Sequence, residues 1–336
     1  MKILMNPEKW VERVWYGHSL WRWVLWPLSL LYRLFVTHKR RRWLAKPRQS
    51  YHANVPLIVV GNLSVGGTGK TPLVLKLIDM ARDLGLAPGV ISRGYGGNAP
   101  AYPCAVEDYP EAAIVGDEPL LIWRRSRCPV VVAPRRAEAA ALLISRFSPD
   151  IIFSDDGLQH YALGRDFEIV VVDGKRQFGN TLCLPAGPLR EPLERLRSVD
   201  LVVGNGCAVA GSPYFFRIAA GQFVALGDGK RQDGSAWIGT GCVAVAGIGN
   251  PERFFQTLRE LGLAIEPHAF PDHYQFSRED FSAFAGRPVL MTEKDAVKCG
   301  GLGLNNAWYL EVEAQMNPAL TQAMTTLLTD RSTSFG

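Results

Sequence analysis

The stretch that most constrains this chain is Gly61-Asn62-Leu63-Ser64-Val65-Gly66-Gly67-Thr68-Gly69-Lys70-Thr71. Residues 57–60 before it, Leu-Ile-Val-Val, form a short β-branched run suited to a buried parallel strand. After it, Leu73, Leu77, Met80 and Leu84 fall on one helical face, and the pattern stops at Gly85. Strand, glycine loop, Lys-Thr and helix together form the context in which a backbone wraps a phosphate. Gly66, Gly67 and Gly69 let N–H groups curl around phosphate oxygens, and the helix N-terminus adds positive potential. Lys70 is placed to reach the β- and γ-phosphates, and the Thr71 hydroxyl to bind Mg²⁺. Ser64 to Thr71, that is Ser64, Val65, Gly66, Gly67, Thr68, Gly69, Lys70 and Thr71, are therefore read as the nucleotide contacts. The strict pattern begins with Gly where this chain has Ser64.

Further strands are expected at 89–92, 130–133, 151–154, 168–172 and 201–203, with helical stretches such as 135–147 between some of them. The alternation predicts an α/β fold, a P-loop NTPase-like, mostly parallel sheet flanked by helices. Ligands of such sheets bind at the carboxyl ends of the strands. Residues 215–226 read as one or two linking strands. Beyond them a strand and glycine turn at 242–249, a helix at 251–261, strands at 289–291 and 309–312 and a helix at 319–328 predict a smaller C-terminal α/β domain. The expected organisation is an aromatic and basic segment at 1–50, a P-loop core at 51–212, a β linker at 213–228 and the smaller domain at 229–336.

The first fifty residues differ from the rest. They hold six of the nine tryptophans, and no carboxylate occurs between Glu12 and Asp79. His18, Arg22, Ser29 and Arg33 line up as one stripe on a helix whose other faces are Trp, Leu, Val and Phe. Pro27 is expected to kink or restart that helix. The uncharged run from Trp23 to Tyr32 is ten residues, too short for a span of about 20. A cleaved leader fits poorly as well, because the apolar region comes late and precedes Arg and Lys. The choice lies between an ordinary buried helix and an interfacial one, with indoles at headgroup depth and Lys39, Arg40, Arg41, Arg42, Lys46 and Arg48 facing an anionic membrane surface. The net charge of +5 comes from that basic cluster, so the body of the chain is not a nucleic-acid binder. The six cysteines contain no C-x-x-C pair, which argues against a zinc module or a disulfide framework.

Several polar motifs follow strands. Ile151-Ile152-Phe153-Ser154-Asp155-Asp156 is an apolar strand ending in two acids, either a Mg²⁺-holding element or a capped turn, with Asp173 as a rival acid. Arg93, in Ser92-Arg93-Gly94-Tyr95-Gly96-Gly97, is either a phosphate neutraliser or part of a surface loop. Asp117 and Glu118, in Gly116-Asp117-Glu118-Pro119, are either functional acids or helix caps. Arg190 and Glu191, in the proline-rich loop 185–192, are either a phosphate clamp and a metal-shell acid or solvated charges.

Taken in order, Gly-Asn-x-x-x-Gly-Gly-Thr-Gly-Lys-Thr-Pro, Ser-Arg-Gly-Tyr-Gly, Gly-Asp-Glu-Pro, Asp-Asp-Gly-Leu-Gln-His and Pro-Asp-His-Tyr resemble the tetraacyldisaccharide 4′-kinase family over nearly the whole chain. The resemblance includes the aromatic N-terminal helix and Thr-Glu-Lys-Asp-Ala-Val-Lys at 292–298. It implies ATP and Mg²⁺ as cofactors, and phosphoryl transfer to the 4′-hydroxyl of a lipid-linked glucosamine disaccharide, giving lipid IVA. It also implies work at the cytoplasmic face of the bacterial inner membrane, with no obligate protein partner. Asp117 and His273 correspond to the family's general-base pair. Glu118, Asp155, Asp156, Gln159, Arg190 and Glu191 match positions lining its site. A membrane-associated partitioning ATPase is the competing reading, but Val65 stands where its signature lysine belongs. A non-catalytic nucleotide scaffold is a third.

Overall fold

The computed structural model describes residues 7–46 and 50–334; Arg48 of the basic cluster lies outside them. The chain divides into two compact units. One comprises Met1–Lys70, Asp150–Arg217 and Met316–Gly336, and the other Thr71–Pro149 and Ile218–Gln315.

The first unit is built on parallel strands in the order Ile151–Asp155, Leu57–Gly61, Phe167–Asp173, Leu201–Asn205. Leu57–Gly61 is buried along its whole length, as its unbroken apolar sequence requires. Its register sets Val60 beside Asp155, and Asp173 pairs with Asn205 two strands away. The glycine loop, the two acids and Asn205 therefore share the carboxyl edge of one sheet.

Two helices, Pro7–Tyr16 and Trp21–Leu44, precede that sheet. The second runs continuously through Pro27, where a kink or restart was expected. His18 precedes this helix, and of its polar stripe Ser29 is buried while Arg33 is half-exposed. Buried Ser29 donates to the Cys183 carbonyl at 2.6 Å, and Tyr32 to that of Arg190 at 3.1 Å. Arg33 pairs with Glu194 at 2.7 Å, and Arg40 reaches the Ser198 hydroxyl at 2.8 Å. Trp21, Trp23, Val24, Leu28, Leu31, Leu34 and Phe35 face out. This is the reverse of a water-facing amphipathic helix. Among the described residues, no helix is long and apolar enough to cross a membrane.

The second unit contains the parallel pair Pro88–Ser92 and Val130–Val132, with Cys104–Ala105 antiparallel to the latter. It also contains the order Ile265–Ala269, Cys242–Ala246, Val289–Thr292, Ala307–Met316, whose successive neighbours are parallel. Cys242, Ala244 and Ala246 pack with Phe254, Phe255 and Leu258 on one face; Val243 and Val245 pack with Phe276, Phe281 and Phe284 on the other. The strand Ile265–Ala269 escaped the sequence reading because Glu266, Pro267 and His268 break its pattern. An edge position tolerates them. Residues 215–225 form one strand rather than two.

Phe153 is fully buried on the strand that carries Asp155. Phe153→Ala is expected to lower the unfolding free energy by about 3–5 kcal/mol in urea titrations. Leu84→Ala, at a side chain that is 43% exposed, is expected to change it far less.

Candidate active site

The glycine loop is braced from both flanks. The Asn62 amide donates to the Gly66 carbonyl at 3.2 Å and to the Thr68 hydroxyl at 3.3 Å, and Asn205 donates to the Thr68 carbonyl at 3.0 Å. The Val65 N–H bonds the Pro188 carbonyl at 2.8 Å, and the Arg190 N–H bonds that of Leu63 at 2.6 Å. Gly66 has φ +112° and Gly69 φ +85°, backbone that side-chain-bearing residues rarely adopt. A Cβ on Gly66 or Gly67 would meet no atom within 4 Å, so this face of the loop is open to a ligand.

Lys70 opens the helix Lys70–Asp83, and its ammonium lies 3.4 Å from Asp156. Arg190 holds both Asp156 oxygens, at 3.0 and 3.1 Å. Burial pushes the Asp156 carboxyl up, but Lys70 and Arg190 outweigh it and hold the group down at about 2. Asp155 is buried at the strand end beside Val60. Gln159 donates to the Asn62 carbonyl at 3.1 Å and to Glu191 at 2.9 Å. Tyr161 donates to the other Glu191 oxygen, and Arg195 lies 3.5 Å from it. Lys70, Asp156 and Arg190 thus form one charged group. Gln159 and Glu191 belong to a second, which is tied to the loop through Asn62. Among the described residues, no group of three or more His, Cys, Asp or Glu is arranged to hold a metal ion.

The second unit brings together residues that lie 156 positions apart. Nδ1 of His273 shares a 3.0 Å hydrogen bond with Oδ2 of Asp117. Asp117 opens the helix Asp117–Ser126, and its Oδ1 accepts from the Glu118 N–H at 3.0 Å. His273 sits in a left-handed turn at φ +59°, with its own N–H donated to the Asp272 carboxylate. The Tyr95 ring stands edge-on to the imidazole, 5.1 Å between centroids. Gly94 and Gly97, on either side of Tyr95, serve packing. A Cβ on Gly97 would meet the Gly116 nitrogen at 2.5 Å, and one on Gly94 the Val115 carbonyl at 3.0 Å. The loop therefore lies directly against the turn that presents Asp117. Arg93 is exposed.

Burial pushes the Asp117 carboxyl up, but the His273 hydrogen bond and Lys294 bring it below its ordinary value. The same hydrogen bond raises the His273 imidazole against the opposing effects of burial and Lys294. Glu118 pairs with Lys294 at 3.1 Å. Tyr95, Tyr161, Asp272, Asn205 and Lys294 were not assigned roles from sequence. Tyr161 and Asn205 join the group at the loop, and Tyr95, Asp272 and Lys294 the group around Asp117, through contacts with residues distant in sequence.

Three comparisons with known proteins place the chain in a family. Residues 21–329 match the family model described as LpxK, tetraacyldisaccharide-1-P 4′-kinase. A tetraacyldisaccharide 4′-kinase from Hahella chejuensis is 51% identical over 316 residues, covering 92% of this chain and 94% of that protein. One from Legionella pneumophila is 45% identical over 93% of this chain and 95% of its own length. The crystal structure of an "apo" form of LpxK from Aquifex aeolicus in complex with ATP superposes with a TM-score of 0.78 at 28% identity, covering 93% of this chain and 99% of that one. The order of motifs, the sheet that carries them and the breadth of these matches have one reading: the chain belongs to the tetraacyldisaccharide 4′-kinase family.

Proposed function

We propose that this chain transfers the γ-phosphate of ATP to the 4′-hydroxyl of a tetraacylated glucosamine disaccharide 1-phosphate, giving lipid IVA in lipid A biosynthesis, with Asp117 as the base. Kinase activity follows from the family. The observation that carries the site assignment is the Asp117–His273 hydrogen bond in a chain that also presents Lys70 at the head of a P-loop helix. A sugar hydroxyl is a poor nucleophile near pH 7, and a carboxylate within hydrogen-bond reach takes its proton as the bond to phosphorus forms. The proton goes to an Asp117 oxygen, while His273 orients that carboxylate and offers the proton a path onward. The open loop backbone and Lys70 hold the triphosphate and offset its charge. A triphosphate also gives Lys70 and Arg190 a more highly charged partner than Asp156.

The residues present fit Mg²⁺. Thr71 supplies a hydroxyl one residue after Lys70, Asp155 ends the strand registered against Val60, and Asp156 follows it in the turn. Mg²⁺ needs only one or two carboxylates when phosphate oxygens and water complete its shell. Bound there, it would neutralise charge on the transferring phosphoryl group. Glu191, held by Gln159, Tyr161 and Arg195, is read as a brace for the loop.

The outward apolar face of Trp21–Leu44, followed by Lys39, Arg40, Arg41 and Arg42, supports peripheral seating at the cytoplasmic face of the inner membrane. An acyl-chain substrate stays in the bilayer, so the enzyme must come to it.

Three outcomes test this reading. Lys70→Ala and Asp117→Ala are each expected to cut transfer of label from γ-labelled ATP to the disaccharide by about 10³-fold or more. Asp117→Ala should leave ATP binding intact, and wild-type turnover in either variant refutes the assignment. Leu31→Glu combined with Phe35→Glu, both on the exposed face, is expected to reduce recovery on vesicles containing anionic lipid without lowering the melting temperature. Unchanged recovery removes the helix from membrane contact. The raised His273 value has a definite sign: its contribution to stability is full below the unfolded imidazole value of about 6.5 and is lost as pH rises through the higher folded value. Denaturant titrations of wild type and His273→Gln should show a difference that shrinks between pH 6 and pH 9.

A further inference from the structure

Three carboxylates converge on the ammonium of Lys294. Oε1 of Glu118 lies at 3.1 Å, and Oδ2 of Asp117 and Oδ1 of Asp272 each lie at 3.7 Å. Asp117 and Glu118 open one helix, while Asp272 belongs to the turn that presents His273. Lys294 therefore touches both segments that must meet for the Asp117–His273 hydrogen bond, and it belongs to neither.

Its own position is fixed by its neighbours. Thr292 caps the helix Glu293–Cys299, accepting from the Asp295 N–H at 3.1 Å and donating to the Asp295 carboxylate at 2.6 Å. Asp295, fully buried, also accepts from the Gly247 N–H at 2.9 Å and pairs with buried Lys298 at 2.7 Å. Glu293 pairs at 3.1 Å with Arg125, on the same helix as Asp117. The two helices are thus cross-bridged by two cations, Arg125 to Glu293 and Lys294 to Glu118 and Asp117. The Thr-Glu-Lys-Asp-Ala-Val-Lys segment plays no part in the chemistry above, and these contacts give it one.

We propose that Lys294 is a positioning residue for the reaction: it clamps Asp117, Glu118 and Asp272 so that the Asp117–His273 pair stays assembled and the base carboxylate stays charged. The proposal rests on the reading of Asp117 as the base. The charged groups around that carboxylate are Glu118 on its own helix, His273 and Asp272 on the turn, and Lys294 and Lys298 on the Glu293–Cys299 helix. Burial works against the Lys294 charge, but Glu118, Asp117 and Asp272 together hold its ammonium firmly protonated. Without it, three carboxylates share His273 and the more distant Lys298. Like charges at such range disfavour ionisation, so the Asp117 carboxyl rises.

The test compares full-length wild type, Lys294→Met and Lys294→Arg in kcat, KM for ATP and the pH profile of kcat/KM for the lipid acceptor. Lys294→Met is expected to lower kcat by roughly 10–100-fold through misplacement of the base, with KM for ATP within about twofold. The base form is lost as pH falls through the Asp117 value, so raising that value should move the acid limb up by about one pH unit or more. Lys294→Arg should recover most of kcat and return the limb. Wild-type kcat and an unmoved limb in Lys294→Met overturn the clamp. So does a loss that arginine does not recover, accompanied by an unmoved limb and a lowered melting temperature. Asp117→Ala run alongside separates the two ideas. Full activity there overturns the base assignment, whereas its loss beside an unaffected Lys294→Met overturns only the clamp.

Discussion

A carboxylate that is 5% exposed stays ionised only where its surroundings replace water, and much of the second unit is arranged around Asp117 in this way. Taking a charge out of water is unfavourable unless opposite charges and hydrogen-bond donors replace the water. The Glu118 N–H, the His273 imidazole and the Lys294 ammonium do so here. The three come from a helix start, a strained turn and a second helix. The strand order, the cap on Thr292 and the anchoring of Asp295 to Gly247 all serve to bring them together. The first unit solves the complementary problem, an excess of positive charge at an open loop. Asp156 sits between Lys70 and Arg190 and balances them.

The strands and the phosphate loop were legible because their signals are local. Apolar β-branched runs bounded by glycine and acids mark buried parallel strands, and glycines before Lys-Thr mark the loop. Some boundaries moved by a single residue, as at Leu57–Gly61 and Pro251–Glu260, whereas the strand expected at 309–312 extends over Ala307–Met316 and the helix expected at 319–328 runs on to Ser334. The charged couplings were not legible. Lys294 follows Asp117 by 177 positions, and nothing near either residue announces the other. Asp117 and His273 were paired by resemblance to a family; sequence spacing alone left Asp117 as a possible helix cap. The strand Ile265–Ala269 was hidden because an edge strand tolerates Pro267, which a central strand would not.

The helix Trp21–Leu44 carries the same lesson in reverse. Its polar stripe was visible in sequence, but a stripe does not say which way it faces. The protein binds Ser29, Tyr32, Arg33 and Arg40 against residues 183–198 and leaves the apolar side outward. Burying Ser29 on a carbonyl satisfies a polar group that a lipid environment would not.

The central claim is that Asp117 takes the acceptor proton. A structure of the protein with a non-hydrolysable ATP analogue and the disaccharide 1-phosphate tests it most directly. The account predicts the 4′-hydroxyl oxygen within about 3 Å of an Asp117 carboxylate oxygen while facing the terminal phosphorus. A hydroxyl aligned on that phosphorus but hydrogen-bonded to another residue, with Asp117 turned away, would contradict it.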